Sequence, residues 1–187
     1  MMHKKIQEPF TKDKWKGLKA GDQVLLTGTI YTARDAVHKL ICQMIEKGED
    51  LPFPLKDSMV YYAGPTPEKP GMVIGSVGPT TSYRMDPYAP ILLDHGQSGM
   101  IGKGPRSEEV IEAIKKNQAI YLAAIGGCGA LISRSVKRAK TVAFPELGTE
   151  ALRELYVENF PAVVVVDCKG IDLYKTGPEA YLKTVAD

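Results

Sequence analysis

Residues 162–167 read Ala162-Val163-Val164-Val165-Val166-Asp167, four consecutive valines between a small residue and a carboxylate. A β-branched run with no polar face is usually buried on both sides, as strands of a parallel sheet are. The run predicts an α/β fold with a largely parallel sheet. Strand and helix patterns alternate on its N-terminal side. Residues 149–157 read as a helix, 141–144 as a strand, 129–136 as a helix and 119–125 as a strand. A further helix opens at Ser107-Glu108-Glu109, with its acids at the positive end of the dipole, and runs through Lys116. Such alternation places the chain in the α/β class.

Further back, residues 23–31 are rich in Val, Leu, Ile and Thr and read as a strand. Val37, Leu40, Ile41, Met44 and Ile45 then follow helical spacing, with Gly48 as the stop. Thr32-Ala33-Arg34-Asp35 has the form of a capping box, which puts Thr32 at the cap. Residues 59–63 form a strand inside a Pro-rich stretch, and 71–77 are a second short strand candidate. This hairpin-like middle, 55–80, predicts a second, antiparallel layer. Residues 87–94 suggest a short helix, 99–102 a short apolar piece, and 1–20 an arm or edge strand pinned by Trp15.

A chain of 187 residues suits one domain, 1–187, with a full hydrophobic core. A net charge of +2 gives no electrostatic case for nucleic acid. No apolar run approaches the ~20 residues of a membrane span, and the charged N-terminus lacks the apolar region of a secretory signal. A cytoplasmic location is expected. Three cysteines without a Cys-x-x-Cys pair argue against a disulfide framework. Cys42 and Cys168 read as buried small hydrophobes, and Cys128, in a Gly-rich turn, as the accessible one. They would ligate a cluster only if the fold gathered them, and their spacing gives that no support. No nucleophile–histidine–acid triad, metal-binding His pair or dinucleotide fingerprint is present.

The stretch with chemical character is Gly78-Pro79-Thr80-Thr81-Ser82-Tyr83-Arg84-Met85-Asp86. Two adjacent hydroxyls follow a Gly-Pro turn, and a planar guanidinium stands beside free backbone N–H groups, a combination suited to a small anion. A capped turn with Arg84 paired to Asp86 is the plainer alternative. Arg34 sits at a helix start, where a cation opposes the dipole, so an anion there would be favoured by both. A solvated Arg34, or one paired to Asp35, is the competing reading. Lys103 lies between Gly102 and Gly104, in a segment without nucleotide-loop spacing. His38, one turn beyond Arg34, either orients a carboxylate or is a structural histidine. Three cations in Gly- or Thr-rich settings suggest a di- or tricarboxylate ligand, with any difficult chemistry brought by a partner.

Residues 28–38 (Gly-Thr-Ile-Tyr-Thr-Ala-Arg-Asp-Ala-Val-His), Tyr62-Ala63-Gly64-Pro65, the segment from Gly78 to Asp86 and Gly102-Lys103-Gly104 together resemble the iron–sulfur, or class I, fumarate hydratases. So do Pro145-Glu146-Leu147-Gly148 and Asn159-Phe160-Pro161-Ala162, and the resemblance covers about residues 20–175. The matching part is the C-terminal domain of single-chain enzymes or the separate β subunit of two-subunit ones, with L-tartrate dehydratase β subunits as relatives. The resemblance implies a three-layer β/β/α swivelling domain with a second antiparallel layer. It implies a hydro-lyase of the tricarboxylic acid cycle that converts (S)-malate to fumarate reversibly. The 4Fe–4S cluster would be ligated by a partner α subunit and not by this chain, in a homodimer or a tetramer of two α and two β chains. Arg34, Arg84 and Lys103 would bind a substrate carboxylate, and Thr80 would be the proton-abstracting group. Fumarate is favoured over tartrate by residues 102–107 and 159–162. A non-catalytic dicarboxylate-binding or scaffold module is the alternative from another class.

Overall fold

In the computed structural model, which describes residues 3–185, the chain runs β1 (Lys4–Gln7), β2 (Gln23–Thr32), α1 (Asp35–Lys47), β3 (Met59–Tyr61), α2 (Ala89–Asp94), β4 (Gly99–Gly102), α3 (Glu108–Asn117), β5 (Ile120–Ala123), α4 (Gly129–Ile132), β6 (Val136–Ala143), β7 (Leu152–Val166) and α5 (Leu173–Val185). The class is mixed α/β. Of the expected N-terminal arm, residues 1 and 2 lie outside the described residues, and β1 forms the expected edge strand against β2.

Helical crossovers carry the chain from β2 to β3, β3 to β4 and β4 to β5, and each successive pair is parallel, as a crossover requires. The 15-residue β7 runs the other way. One of its edges pairs antiparallel with β2, and the other with β6 and then β5. Because β7 joins β5 back to β2, the pairing β2–β3–β4–β5–β7–β2 closes on itself. Alternate strand residues accordingly face two separate cores. Met59, Tyr61, Ile101, Leu122 and Val164 point into the closed ring. Val60, Tyr62, Met100, Tyr121 and Val165 face α1, α2 and α3. Fully buried Trp15, stacked near Phe10, joins the ring core, so it does pin the N-terminal segment.

Several expectations are corrected. Val164, Val165 and Val166 are buried and Val163 is half-buried, but the run's pairings are antiparallel; its two-sided burial comes from the ring on one face and helices on the other. The antiparallel part of the sheet is the C-terminal half, while Met59–Tyr61, expected in an antiparallel layer, pairs parallel on both edges. Residues 149–157 are mostly strand. Leu152, Leu155 and Tyr156 mimic helical spacing, yet β2 and β6 satisfy the backbone from both edges. Residues 71–77 form no strand; this segment folds back on Thr66, whose N–H donates to the Ser76 carbonyl at 2.9 Å. The 129–136 helix is only the single turn α4 and a 3₁₀ turn before β6 begins. Helix α5, with Pro178 inside it, was not expected.

Candidate active site

Strand β2 runs through Thr32, because Tyr31 and Thr32 pair with Val60 and Tyr61. Thr32 is therefore a fully buried strand residue and not the helix cap. The cap position falls to Arg34, in extended conformation, with no side-chain cap bond. Its guanidinium Nη1 lies 3.0 Å from Glu150 Oε1, and its Nε 3.9 Å from Asp35 Oδ1. The expected Asp35 pairing is thus the weaker contact.

The segment after β3 is fastened to strand ends. Thr80 N–H donates to the Tyr62 carbonyl at 2.7 Å, and Thr81 forms a parallel bridge with Lys103. Ser82 and Lys103 hold each other: Ser82 N–H donates to the Lys103 carbonyl at 2.9 Å, and Lys103 N–H to Ser82 Oγ at 3.0 Å. In the 3₁₀ turn Ser82–Met85, Ser82 and Met85 are buried while Tyr83 and Arg84 face outward. Lys103 follows β4 directly, and its side chain runs beside Gly126, where a Cβ would lie 3.6 Å from Lys103 Cδ. Arg34 and Lys103 therefore follow the carboxyl ends of β2 and β4, and Thr80 is bonded at the end of β3, the end at which parallel α/β strands place their ligands in open sheets and closed barrels alike. Arg84 projects from the turn fastened to Lys103.

Asp86 does not pair with Arg84. Its Oδ1 accepts from Arg106 Nε and its Oδ2 from Ser107 N–H, both at 2.7 Å. Among the described residues, neither Arg84 nor Lys103 forms an ion pair, and both are exposed. The capped-turn alternative thus loses its ion pair, and two unneutralised cations remain beside Thr80.

Beneath this rim lies a polar layer that sequence reading missed. Arg106 is fully buried between the rings of Tyr62 and Tyr121, at 5.4 and 5.0 Å. Tyr121 Oη is 2.8 Å from Ser82 Oγ and donates to the Gly104 carbonyl at 2.9 Å. Only the Gly-Lys-Gly-Pro-Arg run hinted at Arg106, and nothing local distinguished it from a surface arginine. His38 takes the structural reading. It is buried, Nδ1 donates to the Arg34 carbonyl at 2.8 Å, and desolvation lowers its pKa to about 4. Glu150 was likewise missed, its partner lying far away in sequence.

The Gly126–Gly129 turn packs on Ser76 and Gly78, and Val77 N–H donates to the Gly129 carbonyl at 3.2 Å. Cys42 is buried, and its thiol is pushed up to about 11 by desolvation. Cys128 and Cys168 are both partly buried. No group of three or more His, Cys, Asp or Glu among the described residues is placed to hold a metal ion. The donor set among the described residues does not fit an iron–sulfur cluster. Neither of the two grooves lined by Pro65, Thr149 and Arg153 and by Lys137, Arg138 and Tyr156 contains Arg34, Thr80, Arg84 or Lys103. No helix among the described residues is long and apolar enough to cross a membrane.

Comparison with known proteins bears directly on this arrangement. The family described as Fumarase C-terminus matches residues 2–177. "Fumarate hydratase 2" of Leishmania major is 46% identical over 82% of this chain and 28% of that protein. "Fumarate hydratase class I, anaerobic" of Escherichia coli is 45% identical over 80% of this chain and 28% of its own length. A Methanocaldococcus jannaschii protein provisionally named L(+)-tartrate dehydratase subunit beta is 44% identical over 89% of this chain and 88% of its own length. The chain thus spans little more than a quarter of the fumarate hydratases it resembles, but most of the β-subunit relative. All these names denote hydro-lyases. With the family match running through both strand-end segments and nearly the whole chain, the protein belongs to the fumarase C-terminus family.

Proposed function

We propose that this chain is the β subunit of a cytoplasmic two-subunit hydro-lyase, reversibly dehydrating (S)-malate to fumarate and supplying the carboxylate-binding half of the active site. The observation that carries this reading is the pair of exposed, unpaired cations, Arg84 and Lys103, fastened beside Thr80 at the strand ends. Arg34 would complete the carboxylate clamp. Its fork matches a carboxylate in parallel bonds, while the Lys103 ammonium acts as a point charge. These cations orient the substrate and stabilise charge that grows on the carboxylate as the neighbouring C–H proton leaves. Thr80 is the group assigned to that proton. A threonine hydroxyl is a poor base unaided, so this role requires the adjacent cations to lower its pKa or another group to relay the proton.

The family's 4Fe–4S cluster would be held by an α subunit and would supply Lewis acidity at the departing hydroxyl. Two features support an incomplete site that a partner covers. The cations stand on an open rim, and apolar side chains of neighbouring segments are exposed: Tyr83, next to Arg84, by 61% and Ile125, next to the Gly126 that packs on Lys103, by 64%. The closed ring, with helices against its outer face, supports the three-layer β/β/α description, and the continuous contacts support one domain over 1–187. A homodimer or a tetramer of two α and two β chains would both accommodate this arrangement.

A second substrate has specific support, because the relative of matching length carries a tartrate dehydratase name. The deciding assay mixes this chain with a cluster-bearing α subunit under anaerobic conditions and measures turnover of (S)-malate, fumarate and L-tartrate. Malate–fumarate turnover by the complex alone is expected. Arg84→Ala should abolish most of it with the complex intact. Turnover by the isolated chain, or full turnover by the Arg84→Ala complex, would refute the assignment. Tartrate turnover without fumarate turnover would select the second substrate, and dicarboxylate binding without any turnover would select a non-catalytic module.

A further inference from the structure

Arg34 stands where a helix dipole opposes it, and something must hold its guanidinium in place. Asp35, its chain neighbour, does not. The closest approach is 3.9 Å, and both Arg34 Nε and Asp35 Oδ1 are buried without a hydrogen bond. The close contact comes from the other end of the chain, where Glu150 Oε1 lies 3.0 Å from Nη1. Both side chains are largely shielded, Arg34 23% and Glu150 29% exposed, so water screens this pair less than a surface pair.

The backbone around Glu150 is bent to reach this position. Phe144 adopts the left-handed conformation, and Gly148 has φ 59° and ψ −115°, a turn suited to glycine. Beyond it, the Thr149 carbonyl covers Gly64, where an added Cβ would sit 3.2 Å from that oxygen and 3.4 Å from Arg34 Cδ. Gly64 and the 149–150 segment thus form the two walls of a slot around the arginine. Two sequence motifs left unused so far, Tyr62-Ala63-Gly64-Pro65 and Pro145-Glu146-Leu147-Gly148, are the segments that build it.

We infer that Glu150 is a positioning residue for substrate binding: it fixes the Arg34 guanidinium so that its remaining N–H donors face the substrate carboxylate. This inference rests on the assignment of Arg34 to the substrate site. Glu150 itself touches Arg34 and does not act on the substrate. Losing its charge frees the guanidinium to turn, so carboxylate binding weakens although a competing anion has been removed.

The test uses the anaerobically assembled complex and the chain by itself. In the complex, Glu150→Gln should raise KM for (S)-malate about tenfold, one charged contact's worth of affinity, while kcat changes much less. In an Arg34→Lys background the same substitution should have little further effect, since the fork it orients is gone. In the isolated chain, side-chain NMR of Arg34 should show a restrained guanidinium that becomes freely rotating in Glu150→Gln. The melting temperatures of both variants identify any loss of fold, and Glu150→Asp, which keeps the charge, should partly restore the restraint. An unchanged or lowered malate KM in Glu150→Gln, or an equally restrained Arg34, overturns the inference. Normal kinetics in Arg34→Ala would instead overturn the substrate-site reading, and the NMR arm would still decide whether Glu150 fixes Arg34.

Discussion

His38 offers a sharp test of the layer beneath the site. The ring is buried on the first turn of α1, with Nδ1 bonded to the Arg34 carbonyl, Nε2 without a partner among the described residues and a T-shaped contact to the Tyr62 ring, 5.2 Å between centroids. Desolvation lowers its pKa from 6.5 to about 4, helped by the Arg106 charge and opposed by the Arg34 carbonyl and Asp35. The folded protein thus keeps a neutral imidazole. Between pH 6.5 and about 4 the unfolded chain takes up a proton that the folded chain refuses, so stability falls as pH falls through that window. At about 1.4 kcal/mol per pKa unit, the loss on going from pH 7.5 to 5 is about 2 kcal/mol, and it approaches about 3 at still lower pH. Asparagine places an amide N–H near the position of Nδ1, so His38→Asn keeps the bond to the Arg34 carbonyl and removes the titration. Urea unfolding at pH 7.5 and 5 should therefore show wild type losing about 2 kcal/mol more than the variant. Equal losses would refute the reasoning, as would an imidazole resonance in the folded protein titrating near pH 6.5.

Three further outcomes probe the same scaffold. Asp86→Asn removes the counter-charge of a fully buried Arg106 and should cost about 3–5 kcal/mol in chemical unfolding; a loss within about 0.5 kcal/mol would mean Arg106 is satisfied without it. Gly102→Ala puts a Cβ 2.0 Å from Ser82 Oγ and 2.9 Å from Tyr62 Cδ2. It should destabilise by about 1–3 kcal/mol, and adding Ser82→Ala should recover part of that; no recovery would place the strain elsewhere. Tyr174→Phe removes the hydroxyl that accepts the Gly104 N–H at 2.9 Å. Amide exchange at Gly104 should accelerate with global stability changed by no more than about 1 kcal/mol, and unchanged protection would show that α5 does not restrain the Lys103 loop.

Elements with a clean local period were legible. The apolar face of α1 follows from side-chain spacing, β2 from its β-branched composition and α3 from the Ser107 cap with its first-turn acids, and Gly48 does end α1 in the left-handed conformation. Strand direction was not legible. Val164 and Val165 face different cores, and any strand between a ring interior and a helical layer shows that pattern, whichever way it runs. Residues 152–156 failed for a related reason: Leu152 and Leu155 are buried on opposite faces of a strand covered on both sides, and an apolar spacing of three and four read from sequence alone looks like one face of a helix. That strand is irregular. Asn159 takes positive φ, and its N–H donates to Thr27 Oγ1 where the β2 register shifts. At the site, Arg34, Arg84 and Lys103 stood out as cations at a helix start or in Gly- and Thr-rich segments that also carry the family resemblance. Arg106 and Glu150 did not, because their tasks depend on Asp86, on two tyrosine rings and on an arginine far along the chain.

The treatment of charge separates the arginines of this region into different kinds. Arg106, sealed under the rim, has a carboxylate on Nε and aromatic rings around it, and its loop is clamped to Ser82 through Tyr121. Burial on that scale is tolerated only with such compensation. Arg84 stands a few residues away with no carboxylate partner among the described residues, although Asp86 is close enough in sequence to have served it. The acid was turned inward to neutralise Arg106, which fastens the turn and leaves Arg84 and Lys103 uncompensated above it. Arg34 is intermediate, half neutralised by Glu150. One arrangement therefore does two things: the buried pair rigidifies the strand-end loops, and by consuming the nearby acid it keeps the rim positive. The carboxylate ligand proposed for this rim would gain from both, meeting cations on fastened loops, two of which need not first release a protein counter-ion.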